Sequence, residues 1–160
     1  MKKINLEYTK IKFSKIHGKG IYSTKDIKKG SKIIEYLGEK ITKKEANKRA
    51  YATMEKHYKN PLYNGAVYIF ELNKKYDLDG DISGNSAKYI NHSCDPNCRF
   101  KIADNRIWII AKRNIKKGEE LSYNYGYDMV NFAEHQCYCR SKKCVGYILD
   151  KKYWKKIKNK

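Results

Sequence analysis

The chain has 160 residues, a length that suits one domain with a closed core. A 41% hydrophobic share with 15 Tyr, 4 Phe and 2 Trp argues against wholesale disorder. No apolar run approaches membrane-spanning length, and MKKINLEYTK lacks the apolar centre of a signal peptide, so an intracellular protein with no membrane partner is expected. A net charge of +19, from 36 Lys and Arg against 17 Asp and Glu, predicts attraction to polyanions such as nucleic acid, nucleosomes or an anionic membrane surface. A Lys-, Asn-, Ile- and Tyr-rich composition also reflects coding bias, and Lys dominates over Arg, the better base reader, so charge alone names no partner.

In chain order, Tyr8 to Phe13 reads as an edge strand. Gly18-Lys19-Gly20 follows. Two glycines around one residue let the backbone approach a ligand closely, and a plain hairpin turn is the other reading. Ile21 to Lys25 and Lys32 to Tyr36 read as strands around the turn Asp26-Ile-Lys-Lys-Gly30. That turn returns as Asn114-Ile-Lys-Lys-Gly118, which predicts two similar strand-turn-strand corners. Glu39 to Ile41 adds a short strand.

Thr42-Lys-Lys-Glu45 is a capping box that opens a helix over Lys43 to Tyr58. Ala46, Ala50 and Met54 form a thin apolar stripe among charges, so this main helix belongs on the surface. Asn60-Pro61 and Asn64-Gly65 end it and turn the chain. Ala66 to Leu72 is a strand with Tyr76 to Leu78 as its partner. Asp79-Gly80-Asp81 lacks the further oxygens of a calcium loop. Ser83 to Tyr89 is a loop or short helix. Arg99 to Ala103 and Arg106 to Ala111 form a hairpin around Asp104-Asn105. Ile107-Trp108-Ile109-Ile110, apolar on both faces, is a central strand. Lys151 to Lys160 holds six lysines in ten residues and reads as a frayed basic tail. Short strands, one main helix and many loops give an α+β, mostly β class.

Tyr89 to Cys98, YINHSCDPNC, is too polar for core and too constrained for a linker. Gly118 to Asp128, GEELSYNYGYD, reads as its counterpart. The five cysteines cannot all pair as disulfides, and clustered cysteines without an export signal read as metal ligands. Cys137-x-Cys139-x4-Cys144 offers three thiolates. Cys94, Cys98 or His135 could complete a structural zinc site that clips the C-terminal segment onto the loop at Cys94.

Gly18-Lys-Gly20, Asn91-His-Ser-Cys-Asp-Pro-Asn97, Gly118-Glu-Glu-Leu-Ser-Tyr-Asn-Tyr125 and the three late cysteines occur in the order of the SET-domain lysine methyltransferases with a post-SET zinc motif. The chain resembles that family from about Ser14 to Leu149, and within it the trithorax-like branch. The resemblance implies a SET domain over 14–128, a post-SET zinc segment over 129–149 and a basic tail over 150–160. It implies small curved β-sheets around a knot-like crossing, where Asn91-His92 passes under the segment Tyr123 to Tyr125. By position, Gly18, Lys19 and Gly20 would hold S-adenosylmethionine, Asn91 and His92 would bind it, and Tyr68 would lie against it. Tyr125 matches the catalytic tyrosine, which also borders the cofactor. Tyr36 and Tyr123 would line the lysine channel. Cys94 matches the fourth zinc ligand, beside Cys137, Cys139 and Cys144, which leaves Cys98 spare. Asp79 falls where the family often has Asp before its Gly-Asn segment. Lys88 stands where Arg is usual, and Ser86 where an aromatic or small residue is common.

The implied function is S-adenosylmethionine-dependent methylation of a protein lysine, on a histone tail or nucleosome, with mono- or dimethyl product set by the Tyr123 hydroxyl. The expected place is the nucleus or chromatin (the host's, for a microbial or viral source), with the cytoplasm as alternative. A competing reading is a catalytically inactive basic SET scaffold that binds nucleosomes or nucleic acid; a third is an enzyme acting on a non-histone basic protein.

Overall fold

The computed structural model describes residues 8–60, 62, 65–130 and 132–158. Residues 1–7, Pro61, Tyr63, Asn64, Asn131 and the last two lie outside the described residues, and with them part of the expected turns after the helix and the end of the basic tail.

The strands run β1 (Thr9–Phe13), β2 (Lys19–Ser23), β3 (Lys32–Tyr36) and β4 (Glu39–Thr42). Helix α1 (Lys43–Lys59) follows, then β5 (Ile69–Glu71), β6 (Tyr76–Asp79), β7 (Asn91–His92), β8 (Cys98–Ala103), β9 (Arg106–Ala111), β10 (Ser122–Tyr123) and the short α2 (Trp154–Lys158). The sheets are small, mostly antiparallel and accompanied by few helices, as the α+β, mostly β expectation had it.

The chain divides into two compact units, each described by itself. The first holds Glu35–Lys88 and Ile102–Ile107. Its sheet has the order β4-β6-β5, antiparallel throughout. Thr42 caps α1 by accepting from the Glu45 N–H, which satisfies one of the orphan donors of the first turn. Arg49 Nε takes the Glu45 side chain, and its Nη1 also donates to Glu39 and Asp79, so one guanidinium ties the helix to β4 and β6. Ala46 is the buried residue of α1, which makes it a surface helix as its thin stripe predicts. The expected strand over Ala66 to Leu72 is shorter. The Tyr68 carbonyl accepts from Gly80 N–H, one step beyond the Ile69–Asp79 pair, and also from the Tyr36 hydroxyl, which divides it between the sheet edge and a side chain. Asp104 and Asn105 have φ of 52° and 55°, the left-handed pair that a two-residue hairpin turn needs.

The second unit holds residues 8–34, Tyr89–Lys101 and Trp108 onward. Its main sheet is β3-β9-β8, whose strand ends Glu35–Tyr36, 102–103 and 106–107 are counted in the first unit. The middle strand β9 buries Ile109, Ile110 and Ala111, as its two-sided apolar run predicts. β1 and β2 form a hairpin, with Gly18 at φ 50° in its connection. The Gly-Lys-Gly stretch is thus half turn and half strand.

The two Ile-Lys-Lys-Gly corners pair with each other. Ile27 and Ile115 exchange backbone hydrogen bonds of 2.8 and 2.9 Å, and both side chains are buried. Each corner caps the other: Lys29 N–H donates to Asn114 Oδ1 and Lys117 N–H to Asp26 Oδ1, both at 2.8 Å. β7 and β10 lie side by side as a parallel ladder, Asn91 opposite Ser122 and His92 opposite Tyr123. The expected frayed tail is instead ordered through residue 158. Asp150 caps its first turn by accepting from Lys152 N–H, and Trp154 Nε1 donates to the Leu149 carbonyl.

Candidate functional site

In β7 of the second unit, Asn91 and His92 face different partners. Asn91 Nδ2 lies 3.2 Å from His17 O, 3.0 Å from Lys19 O and 3.0 Å from Glu120 Oε1. Its amide therefore holds the Gly18-Lys19-Gly20 backbone in place. Glu120 is the hub of this side. It also accepts from Ser14 Oγ at 2.6 Å and from the Tyr22 hydroxyl at 2.8 Å. Burial and the neighbouring Glu120 carboxylate push the Tyr22 phenol above its ordinary range. A Cβ on Gly20 would stand 2.5 Å from Glu120 Oε1 and 3.0 Å from Ser14 Cβ, so a side chain there would push the Glu120 carboxylate off its present partners. Asn97 locks the same loop: its Nδ2 donates to Glu120 O and its Oδ1 accepts from Ser122 N–H.

His92 is turned toward the aromatic segment and the sulfurs. Its Nδ1 accepts from Tyr125 N–H at 3.2 Å, and its Nε2 lies 3.6 Å from Cys94 Sγ. An Nδ1 that accepts carries no proton, so the neutral ring bears its proton on Nε2 and donates it to the sulfur. Burial favours the neutral ring, with the imidazole pKa lowered to about 4. The Tyr125 hydroxyl donates to Ile90 O at 2.9 Å, and its ring meets that of His92 edge-on at 5.4 Å. The expected meeting of Tyr125 with the Asn91-His92 dipeptide is thus present. Aromatic rings continue on both sides of Tyr125: Tyr123 at 5.0 Å with Phe100 beyond it, and Tyr127 at 5.9 Å with His135 beyond it.

Cys94, Cys137, Cys139 and Cys144 bring their sulfurs within 4.8 Å of one another. Two separations are 3.8 Å (Cys94 to Cys137) and 4.0 Å (Cys94 to Cys144). Four thiolates bound to Zn²⁺ at about 2.3 Å would sit about 3.8 Å apart at the corners of a tetrahedron, so spacing and donor type both fit zinc. Backbone N–H groups of Cys94 and Gly146 point at the Cys139 and Cys144 sulfurs, at 3.5 and 3.4 Å, which favours thiolates. Of the candidates for the fourth ligand, Cys94 joins the cluster. His135 packs on the Tyr127 ring at 4.9 Å, and Cys98 is a buried thiol pushed up to about 12 by burial.

Tyr36 and Tyr68 belong to the first unit. The Tyr36 hydroxyl donates to Tyr68 O at 2.7 Å, and its ring meets Phe70 edge-on. Lys88, the departure from Arg, holds its ammonium over the Tyr68 ring and pairs with Asp81. Asp79 receives Arg49.

Glu120, Asn97, Phe100 and Tyr127 were missed as site residues by sequence reasoning. Glu120 and Asn97 lie inside the quoted motifs. The available signal was the glycine itself: its bare Cα leaves room for a close neighbour, and the Glu120 carboxylate takes that room.

The SET domain family profile matches residues 18–126. The chain belongs to the SET-domain family. It is 42% identical over 136 residues to "Histone-lysine N-methyltransferase trr" of Drosophila melanogaster, covering 82% of this chain and 5% of that protein. It is 38% identical over 137 residues to "Histone-lysine N-methyltransferase 2D" of Homo sapiens, covering 82% and 2%. "Histone-lysine N-methyltransferase ASHH1" of Arabidopsis thaliana is 36% identical over 148 residues, covering 89% and 29%. The chain thus spans a small part of the length of these curated relatives. The expected SET fold and trithorax-like resemblance stand with these matches, and the C-terminal cysteine cluster fits a post-SET motif.

Proposed function

We propose that this chain is a protein-lysine N-methyltransferase that uses S-adenosylmethionine and acts on histone-tail lysine in chromatin, with mono- and dimethyl products favoured. The observation that carries the reading is the convergence of Gly18-Lys19-Gly20, Asn91-His92 and Tyr125 within one compact unit of a SET-family chain. The functional division would be a SET domain over 14–128, a zinc-stapled post-SET segment over 129–149 and the basic end.

S-adenosylmethionine, when bound, supplies an electrophilic methyl on a cationic sulfur. The backbone of Gly18, Lys19 and Gly20 would hold it together with Asn91 and His92. Asn91 spends its amide hydrogens on backbone and carboxylate oxygens, which leaves its Oδ1 as the acceptor suited to an ammonium group. A lysine side chain has a reference pKa of about 10.4, so less than about one in a thousand is neutral at pH 7. The amine must shed its proton to water before it is nucleophilic, at a cost of roughly 4–5 kcal/mol. A cationic neighbour and a dry aromatic wall both disfavour the ammonium. Tyr125, Tyr123 and the flanking rings can supply that wall, while the Tyr125 hydroxyl holds the amine's direction by preorganisation. The roles of Tyr36 and Tyr68 rest on the resemblance and on their own hydrogen bond.

The test is methyl transfer from S-adenosylmethionine to nucleosomes, free histones and cell lysate, read by mass spectrometry. One or two methyl increments on lysine support the proposal. Cofactor binding with no transfer to any of the three would mark the inactive-scaffold reading instead.

A further inference from the structure

The described residues of the first unit carry 11 Lys and Arg against 9 Asp and Glu, while those of the second carry 22 against 7. In the first unit the carboxylates other than Asp104 are taken up in ion pairs with Lys43, Arg49, Lys59, Lys88 and Arg106. The surplus positive charge of the chain thus sits almost wholly on the second unit.

Within that unit one place gathers it by construction. The Ile27–Ile115 bridge lays the two Ile-Lys-Lys-Gly corners side by side, and Gly30 N–H and Ser31 O bond Ala111, which brings Lys112 and Arg113 to the same corner pair. Lys28, Lys29, Lys112, Arg113, Lys116 and Lys117 are all exposed. The local carboxylates, Asp26 and Glu119, are engaged by Lys116 and Arg113. Among the described residues no carboxylate pairs with Lys28, Lys29, Lys112 or Lys117.

We infer that the paired corners are a docking surface for the phosphate backbone of double-stranded nucleic acid. Four unmatched ammonium groups on a rigid backbone frame complement a line of phosphates, which needs charge and no base reading. A membrane surface would also want an apolar wedge, and none of the exposed large hydrophobic residues falls between 25 and 30 or between 111 and 119. Lys in place of Arg suits sequence-independent contact. The inference deepens the nucleosome reading by naming the face that would meet the DNA, and it rests on that reading for the source of the nucleic acid.

The test is titration of a labelled random duplex of about 30 bp over a salt series, since each phosphate neutralised adds about 0.9 to the slope of log affinity against log salt. The Lys28→Gln, Lys29→Gln, Lys112→Gln, Lys117→Gln variant is compared with an equal charge change at Lys151, Lys152, Lys155 and Lys156. The corner variant is expected to lose about three to four units of slope and at least about ten-fold in affinity near 0.1 M salt, the tail variant less than half of that. Lys28→Gln, Lys29→Gln alone should give about half the corner effect, which keeps the test valid should the fourfold variant fold poorly. An unchanged slope in the corner variants overturns the inference. So does an equal loss in the tail variant, or loss of binding to phosphatidylserine vesicles without loss of duplex binding. Methyl transfer to a free histone peptide should be unaltered by the corner substitutions. Absence of transfer in the unaltered protein would sink the enzyme reading and leave the duplex titration standing by itself.

Discussion

Asn91 and His92 are neighbours in one two-residue strand, yet different chemistries hold them. Asn91 is fixed by oxygen: two carbonyls and the Glu120 carboxylate, with Ser14 and Tyr22 closing the ring around that carboxylate. His92 is fixed by sulfur on one ring nitrogen and by the Tyr125 backbone on the other. The oxygen side is a hydrogen-bond network that side-chain shape alone can satisfy. The sulfur side gathers four cysteines, a cluster whose mutual repulsion as thiolates only a cation relieves. The two sides should therefore fail differently, one locally and one together with the C-terminal segment.

The largest effect is expected on the sulfur side. If the four sulfurs hold zinc as proposed, Cys137→Ser, or chelation, should release it and lower the melting temperature by about 10 °C or more, because metal binding free energy is folding free energy. Metal content and a thermal melt measure it, and an unmoved melt would remove the metal from the account of stability. Next comes Tyr125→Phe, which keeps the backbone N–H to His92 and deletes the hydroxyl. Turnover should fall by at least about 100-fold with the melt unchanged, on the scale of losing one preorganised hydrogen-bonding group, here an oxygen oriented by its bond to Ile90 O.

On the oxygen side, Glu120→Ala should cost about 1–3 kcal/mol of stability by stranding its donors, and about ten-fold in cofactor affinity. Gly20→Ala strikes the same contact from the other side, since its new Cβ would meet Glu120 Oε1 at 2.5 Å. Combined, the two should cost less than the sum, because each removes what the other offends. Calorimetric titration of S-adenosylmethionine measures the cycle, and strict additivity would deny the contact. The smallest expected change is one of product: Tyr123→Phe should move mono- and dimethyl product toward higher methylation with turnover little altered. Trimethyl product from the unaltered protein would count against a limiting role for that hydroxyl.

Local signals in the sequence had local outcomes. Thr42 caps α1, Asp104-Asn105 turns a hairpin, and the apolar run at 107–110 becomes the middle strand of its sheet. The repeated Ile-Lys-Lys-Gly turn was legible as two like corners, but not that each would cap the other, because 88 intervening residues hide the pairing. β7 and β10 are two residues each, too short for any periodicity, so the two polar stretches read as counterparts but only the family resemblance placed Asn91-His92 against Tyr123 to Tyr125. The order of residues 150–158 was missed because a lysine run hides what anchors it: the Asp150 cap and the Trp154 indole on the Leu149 carbonyl. The cysteine cluster was legible from spacing, and its fourth member only from the resemblance, since Cys94 and Cys98 are both buried thiols and only the fold brings one of them to the other three sulfurs.

The most direct measurement is mass spectrometry of histones incubated with S-adenosylmethionine and either the unaltered chain or its Tyr125→Phe variant. Lysine-bound methyl groups from the first and almost none from the second are expected. Equal transfer by both, or none by the unaltered chain although it binds the cofactor, would contradict the account.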